Sequence, residues 1–193
     1  MEKDKFTGMG SHTFSNGSSY EGEWVNGAME GQGTMRFANY DLYEGEWKAG
    51  KPDGIGTFSF YDVKRDKYTS KYVGHFAHGV REGAGRQLYS DGTFYDGQWQ
   101  NDMRTGEGLR TFADGSCFHG LWKFDEMLRG VYSLTSGDKY DGEIKKGRFE
   151  GYGKYFWKSG NWFEGIFEGG KPKTGIFFSP DGKMTEIKEG ETV

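Results

Sequence analysis

Few residues in this chain have the types and spacing that chemistry requires. His75 and His78 stand three apart, and with His12 and His119 they are the four imidazoles that could hold a metal or move a proton. That spacing aims two side chains at one point on a helix, whereas the residues around them alternate as strand and turn, so they read as surface histidines. Cys117 is the single cysteine, which leaves no intrachain disulfide and no paired-cysteine zinc site. As a nucleophile it would need a specific base beside it. There is no GxxxxGK[ST] phosphate loop and no HExxH. Gly–x–Gly pairs recur, but none follows a strand and opens a helix as a dinucleotide fingerprint must. No catalytic residue, metal or cofactor is expected, and the chain reads as non-enzymatic.

The glycines belong to something larger. The word YEGEW at 20–24 returns as YEGEW at 43–47 and as YDGQW at 95–99. Anchored on aromatic–x–Gly, repeats start at 20, 43, 72, 95, 118, 140 and 163, after a half repeat at 6–19. The fifth position holds Trp24, Trp47, Phe76, Trp99, Trp122, Ile144 and Phe167. A later Gly–x–Gly, as at 31/33, 54/56 and 83/85, is followed four residues on by an aromatic: Phe37, Phe60, Tyr89, Phe112 or Trp157. Thirty-two of the 34 glycines fall in this frame, which accounts for the composition.

Period-2 alternation of Tyr20, Gly22 and Trp24 with Glu21 and Glu23 predicts a strand with unlike faces. NG at 26–27 supplies a turn, and a second strand follows through Gly33, Met35 and Phe37. Each unit is then a β-hairpin too small to bury its own aromatics, so neighbours must stack. The expected fold is all-β: an elongated, single-layer, twisted antiparallel sheet of about seven and a half tandem hairpins over 6–182. Some fifteen strands at ~4.8 Å would make it roughly 70 Å long and prone to curl into a trough. Residues 183–193 carry no repeat and are expected to form a C-terminal cap or tail.

The frame breaks in three places. Six extra residues lengthen the second repeat in the region 61–72, read as an enlarged solvated turn that gathers Lys64, Arg65, Lys67 and Lys71. The fifth repeat, around DEMLRG at 125–130, and the seventh, with KTG at 173–175, are each one residue short, which should distort the hairpin or twist the sheet. Glu21, Glu44, Asp96, Asp141 and Glu164 would share a face, read as an ordinary solvated strand face.

Bulk properties exclude several classes. The net charge is −4 and the sequence pI near 5.6, against general nucleic-acid binding. The N-terminal ten residues, MEKDKFTGMG, have no apolar signal region, and a soluble cytoplasmic protein is expected. Leu, Ile, Val and Phe number only 33 of 193, but aromatics reach 18%, so rings replace the usual aliphatic core.

With YEGEW, the trailing GxG and the DG turns, the sequence resembles the MORN-repeat family (membrane occupation and recognition nexus) over nearly its whole length. The resemblance implies tandem β-hairpins and a setting among junctional, ciliary and cytoskeletal assemblies. Two functions of different class are expected from the residues. One is a protein-binding scaffold whose groove takes a peptide, a helix or a second copy of the chain as homodimer. Its floor would be Tyr20, Trp24, Tyr43, Trp47, Phe76, Tyr95 and Trp99, with plain packing between hairpins as the alternative role for each ring. The other is a peripheral protein meeting an anionic membrane surface, or an acidic partner, through Lys64, Arg65, Lys67 and Lys71.

Overall fold

A computed structural model describes residues 6–189. The first five residues and 190–193, the end of the expected cap or tail, lie outside the described residues. Sixteen strands and no helix occur among the described residues, so no helix among them is long and apolar enough to cross a membrane. Contacts divide the chain into two units, Met1–Asp102 and Met103–Val193.

The first unit holds β1 (Gly8–Thr13), β2 (Ser19–Val25), β3 (Ala28–Arg36), β4 (Leu42–Lys48), β5 (Lys51–Asp62), β6 (Lys67–Ala77), β7 (Val80–Leu88) and β8 (Phe94–Gln100). Each pairs antiparallel with the next. The second unit repeats the meander with β9 (Met103–Thr111), β10 (Cys117–Lys123), β11 (Glu126–Ser133), β12 (Lys139–Lys145), β13 (Arg148–Phe156), β14 (Trp162–Glu168), β15 (Lys171–Phe178) and β16 (Met184–Ile187). The sixteenth strand is one more than the repeat word predicts. β16 lies in the segment without a repeat, and it pairs Ile187 with Gly175 and Thr185 with Phe177.

A row of facing glycines sets the register. Gly10, Gly22, Gly33, Gly45, Gly56, Gly74 and Gly85 pair in succession across the first unit. Each repeat tyrosine lies across this row: a Cβ on Gly33 would sit 2.1 Å from the Tyr20 hydroxyl oxygen. The glycines are therefore required by close approach of a ring.

Just beyond the glycine pair a bulge follows. In the first repeat Gly22 pairs Gly33 while Glu23 pairs Glu30, leaving two extra residues on β3. Gly31 takes φ +61° there, which favours glycine. The two short repeats behave differently. Leu121 pairs Arg129 and Trp122 pairs Met127, so Leu128 is a one-residue bulge; Ile166–Thr174 and Phe167–Pro172 leave only Lys173. The missing residue is absorbed in the bulge, with the glycine register intact, where a distorted hairpin was expected.

The six-residue insertion also departs from expectation. It is not a loose enlarged turn: β5 and β6 run on as paired strands through Tyr61–Tyr68 and Asp62–Lys67, and only residues 63–66 turn.

Candidate functional site

Alternation gives each unit two unlike faces. One, the tyrosine face, carries the repeat aromatics; the other carries Glu21, Glu23, Glu44 and Glu46.

On the tyrosine face the rings form a zipper. Tyr20 meets Trp24 at 5.1 Å and Trp47 of the next repeat at 5.2 Å, both edge to face. Tyr43 does the same with Trp47 and Phe76, and Tyr72 with Phe76 and Trp99. Such pairs contribute about 0.5–1.5 kcal/mol each beyond area burial. The polar tips are satisfied. Tyr43 donates to the Glu46 carbonyl at 2.9 Å, and Trp47 Nε1 donates to the Gly33 carbonyl at 3.0 Å. Burial pushes the Tyr20, Tyr72 and Tyr140 hydroxyls up to about 12, and Tyr43 further still.

In three repeats a residue near the start of the second strand adds a third side chain over a repeat ring, that of the next repeat for Arg81 and Arg104 and that of its own repeat for Phe149. Arg81 stands 4.1 Å over Trp99, with its Nε 2.9 Å from Asp102. Arg104 stands 4.6 Å over Trp122 and pairs with Asp125 at 2.7 Å. Phe149 stacks on Tyr140 at 3.9 Å.

Of the seven rings expected to floor a groove, Tyr20, Tyr43, Trp47, Phe76, Tyr95 and Trp99 are thus brought together but buried, with 7% exposure at most. Only Trp24 is half-buried. Six of the seven are occupied by packing, because each ring is clasped by its own and the adjoining repeat.

A different set of rings on the same face stays half-open. Phe58 pairs with Tyr43 and Tyr72; its ring lies 5.5 Å from Phe37 and 4.7 Å from Phe60, which is 36% exposed. In the second unit Tyr132 stacks on Phe112, and Trp157 meets Tyr155 and Phe177. Four of these eight, Phe37, Phe60, Phe112 and Trp157, are the aromatics four residues past Gly–x–Gly. Their recurrence was the available signal, and the more regular YxGxW word overshadowed it.

The basic residues are placed less compactly than expected. Lys64 and Arg65 sit in the turn and Lys67 opens β6, but Lys71 lies ~13 Å further along the strand. Asp62 pairs with Arg65, whose guanidinium holds that carboxyl below its usual range. Beside them Tyr61 packs on Tyr40 and Tyr68, and Val63 is 66% exposed.

The acidic face is spoken for. Glu21 and Glu44 alternate with Thr34 and Thr57 across the strands, while Glu23 and Glu46 accept from the Gln32 and Ile55 amides over the bulges. Arg86–Asp96 and Lys154–Glu164 pair across strands. His75 lies on this face and His78 in a turn, 3.3 Å from Asp53. No cluster of three metal-ligating side chains exists among the described residues.

The family profile described as "MORN repeat" matches residues 1–19, 20–42, 43–62, 72–94, 95–117 and 140–162. The units starting at 118 and 163, which it omits, are the two with Phe for Tyr and a one-residue bulge. No curated protein matches the chain. Among solved structures, the CPAP G-box domain, described as suggesting a role in centriole elongation, matches with TM-score 0.50 at 14% identity, over 93% of this chain and 97% of that one. The TCP10 domain of Danio rerio CPAP matches with TM-score 0.42 at 14% identity, over 91% and 86%. The SAS-4 TCP domain of Drosophila melanogaster, in complex with a proline-rich motif of Ana2, gives TM-score 0.36 at 11% identity, over 94% and 90%. At these identities the likeness concerns the fold. The profile covers well over half the chain in register with the hairpins, and the chain belongs to the MORN-repeat family.

Proposed function

We propose that this protein is a non-enzymatic scaffold that holds a peptide or helix of a protein partner on its tyrosine face, in a cytoskeletal or ciliary assembly. The contact is the half-open aromatic strip of Phe37, Phe58 and Phe60, supported on the buried zipper. The observation that carries the reading is this pairing of rigid floor with exposed ring. Anchors that lose little side-chain entropy, set on a braced surface, are what partner recognition uses. The cytoplasmic, cytoskeletal or ciliary setting follows from the family resemblance alone.

Selection of a random peptide library on the immobilised protein, followed by titration of the enriched sequences, tests it. Phe60→Ala removes exposed ring without opening the zipper. It is expected to weaken those peptides at least about ten-fold, the scale of an anchor residue, with an unchanged melting temperature. A library with no enriched sequence, or peptides indifferent to Phe60→Ala, contradicts the reading.

A second reading rests on the insertion hairpin, where exposed Val63 stands beside Lys64, Arg65 and Lys67. Basic charge next to an apolar tip suits an anionic membrane surface. Cosedimentation with phosphatidylserine vesicles, lost when Lys64, Arg65, Lys67 and Lys71 are changed to Glu, would favour it. Sedimentation equal in the two proteins would exclude that hairpin.

A further inference from the structure

The two ends of the strand series are guarded unequally. β16 carries Glu186, and beside it Lys173 pairs with Glu168 at 2.7 Å and Glu189 at 3.1 Å. Charge of this kind keeps other chains off a sheet edge. β1, GMGSHT, has no Asp, Glu, Lys, Arg or Pro, and five of its six residues are exposed. Among the described residues it pairs with β2 alone.

β1 is also a copy of β3 as β4 meets it. His12 pairs with Tyr20, Gly10 with Gly22 and Gly8 with Trp24, just as Met35 pairs with Tyr43, Gly33 with Gly45 and Gly31 with Trp47. On the other edge of β3 lies β2, with Tyr20 opposite Met35 and Gly22 opposite Gly33. Tyr20 there covers Gly33 and reaches Trp47. The same geometry on β1 calls for an antiparallel strand with an aromatic opposite His12 and a glycine opposite Gly10. The glycine is needed because a Cβ at Gly22 would lie 2.5 Å from the Gly33 Cα.

The space for that aromatic exists. A cavity of about 440 Å³ is lined by Phe6, Gly10, His12, Phe14 and Trp24, among others. Trp24 is half-buried where Trp47 and Trp99 are buried; among the described residues no tyrosine closes its outer side as Tyr20 closes Trp47. Phe6, 54% exposed, leans over Gly10 in the tyrosine's place: a Cβ on Gly10 would meet its ring at 2.9 Å.

We propose that the outer edge of β1, unpaired among the described residues, and the notch beside Trp24 form a docking site for an extended segment of another polypeptide bearing aromatic–x–Gly. The segment pairs antiparallel with β1, displaces the Phe6 ring and places its aromatic over Gly10 against Trp24. A second copy of this chain does not supply the word from β16. β16 carries Thr185 and Ile187 where aromatic and glycine are required. The site is separate from the strip on Phe37, Phe58 and Phe60, so each can fail alone.

The test uses a fluorescein-labelled, end-capped peptide with the sequence of residues 19–25, SYEGEWV, titrated by anisotropy against the full chain, with amide exchange read in parallel. Saturable binding that slows exchange across Gly8–Thr13 is expected. The peptide changes Tyr20→Ala and Gly22→Val should each weaken it about ten-fold or more. In the protein, Gly10→Val fills the notch against a flexible ring, so it should abolish binding at an unchanged melting temperature, while Phe6→Ala should bind at least as tightly as wild type. No binding up to about 1 mM, binding that survives Gly10→Val or the Gly22→Val peptide, or protection confined to other strands overturns the proposal.

Discussion

At the scale of single residues, the tyrosine ring and the glycine beneath it are one fitting. Gly33→Ala forces the Tyr20 ring off its seat and should cost about 3 kcal/mol in urea denaturation, as overpacking does. Gly92 has positive φ but nothing within 4 Å of a would-be Cβ, so Gly92→Ala should cost only about 1 kcal/mol from backbone strain. Equal losses would refute the close-approach explanation. The hydroxyls add a pH limb. Tyr20, Tyr72, Tyr140 and Tyr155 are raised from 10.0 to about 12 in the fold. The folded chain therefore holds those protons more tightly than the unfolded chain. Their contribution is fully present below pH 10 and lost as pH rises through 12. The tyrosinate absorbance of these four rings should lag until circular dichroism reports unfolding, then jump with it; titration of all twelve tyrosines near pH 10 with the fold intact would contradict this. The YxGxW word was legible in the sequence at this scale. Its burial was not, because each ring is closed by a strand from the adjoining repeat, which local spacing cannot show.

At the scale of the element, bulge length and ring chemistry go together. Where the bulge has two extra residues the ring is tyrosine, as at Tyr20, Tyr43, Tyr72 and Tyr140; where it has one, the ring is Phe118 or Phe163. The opposite strand sits closer in the short repeats. There the Arg129 and Thr174 carbonyls lie 2.2 Å from a would-be Cβ at Gly120 and Gly165, against 2.6 Å for the Gln32 carbonyl at Gly22, where the Tyr20 hydroxyl donates to the Glu23 carbonyl at 3.1 Å. Deleting Gln32 should therefore destabilise the chain less in a Tyr20→Phe background than in wild type, with a coupling of about 1 kcal/mol. Strict additivity would sink the idea. The one-residue deletions were legible from the period; that a bulge absorbs them was not, since pairing register is a property of two strands. The insertion at 61–72 shows the same limit. Its length was plain, but the pairing of Tyr61 with Tyr68 depends on bulged register beyond Phe60.

At the scale of the whole molecule, stability is a sum of hairpins and their nearest-neighbour contacts. Strands paired on one side among the described residues, β1 and β16, should exchange their amides fastest, and strands within each unit far more slowly. Uniform protection from β1 to β16 would mean a single all-or-none core instead. The repeat frame, the all-β class and the unlike faces could all be read from the 23-residue period. The sixteenth strand could not, because Thr185 and Ile187 replace the residues that define the word. Nor could the working surface be read, since aromatic content alone does not separate packed rings from open ones. The tyrosine face, at its half-open rings, is the surface proposed to hold the partner. The most direct measurement places the photo-crosslinker benzoylphenylalanine at Phe60, or at Ile55, 56% exposed on the opposite face, and maps by mass spectrometry what each captures from lysate. Discrete crosslinked peptides are expected from position 60 and background from position 55. Specific capture at 55 with none at 60 would contradict it.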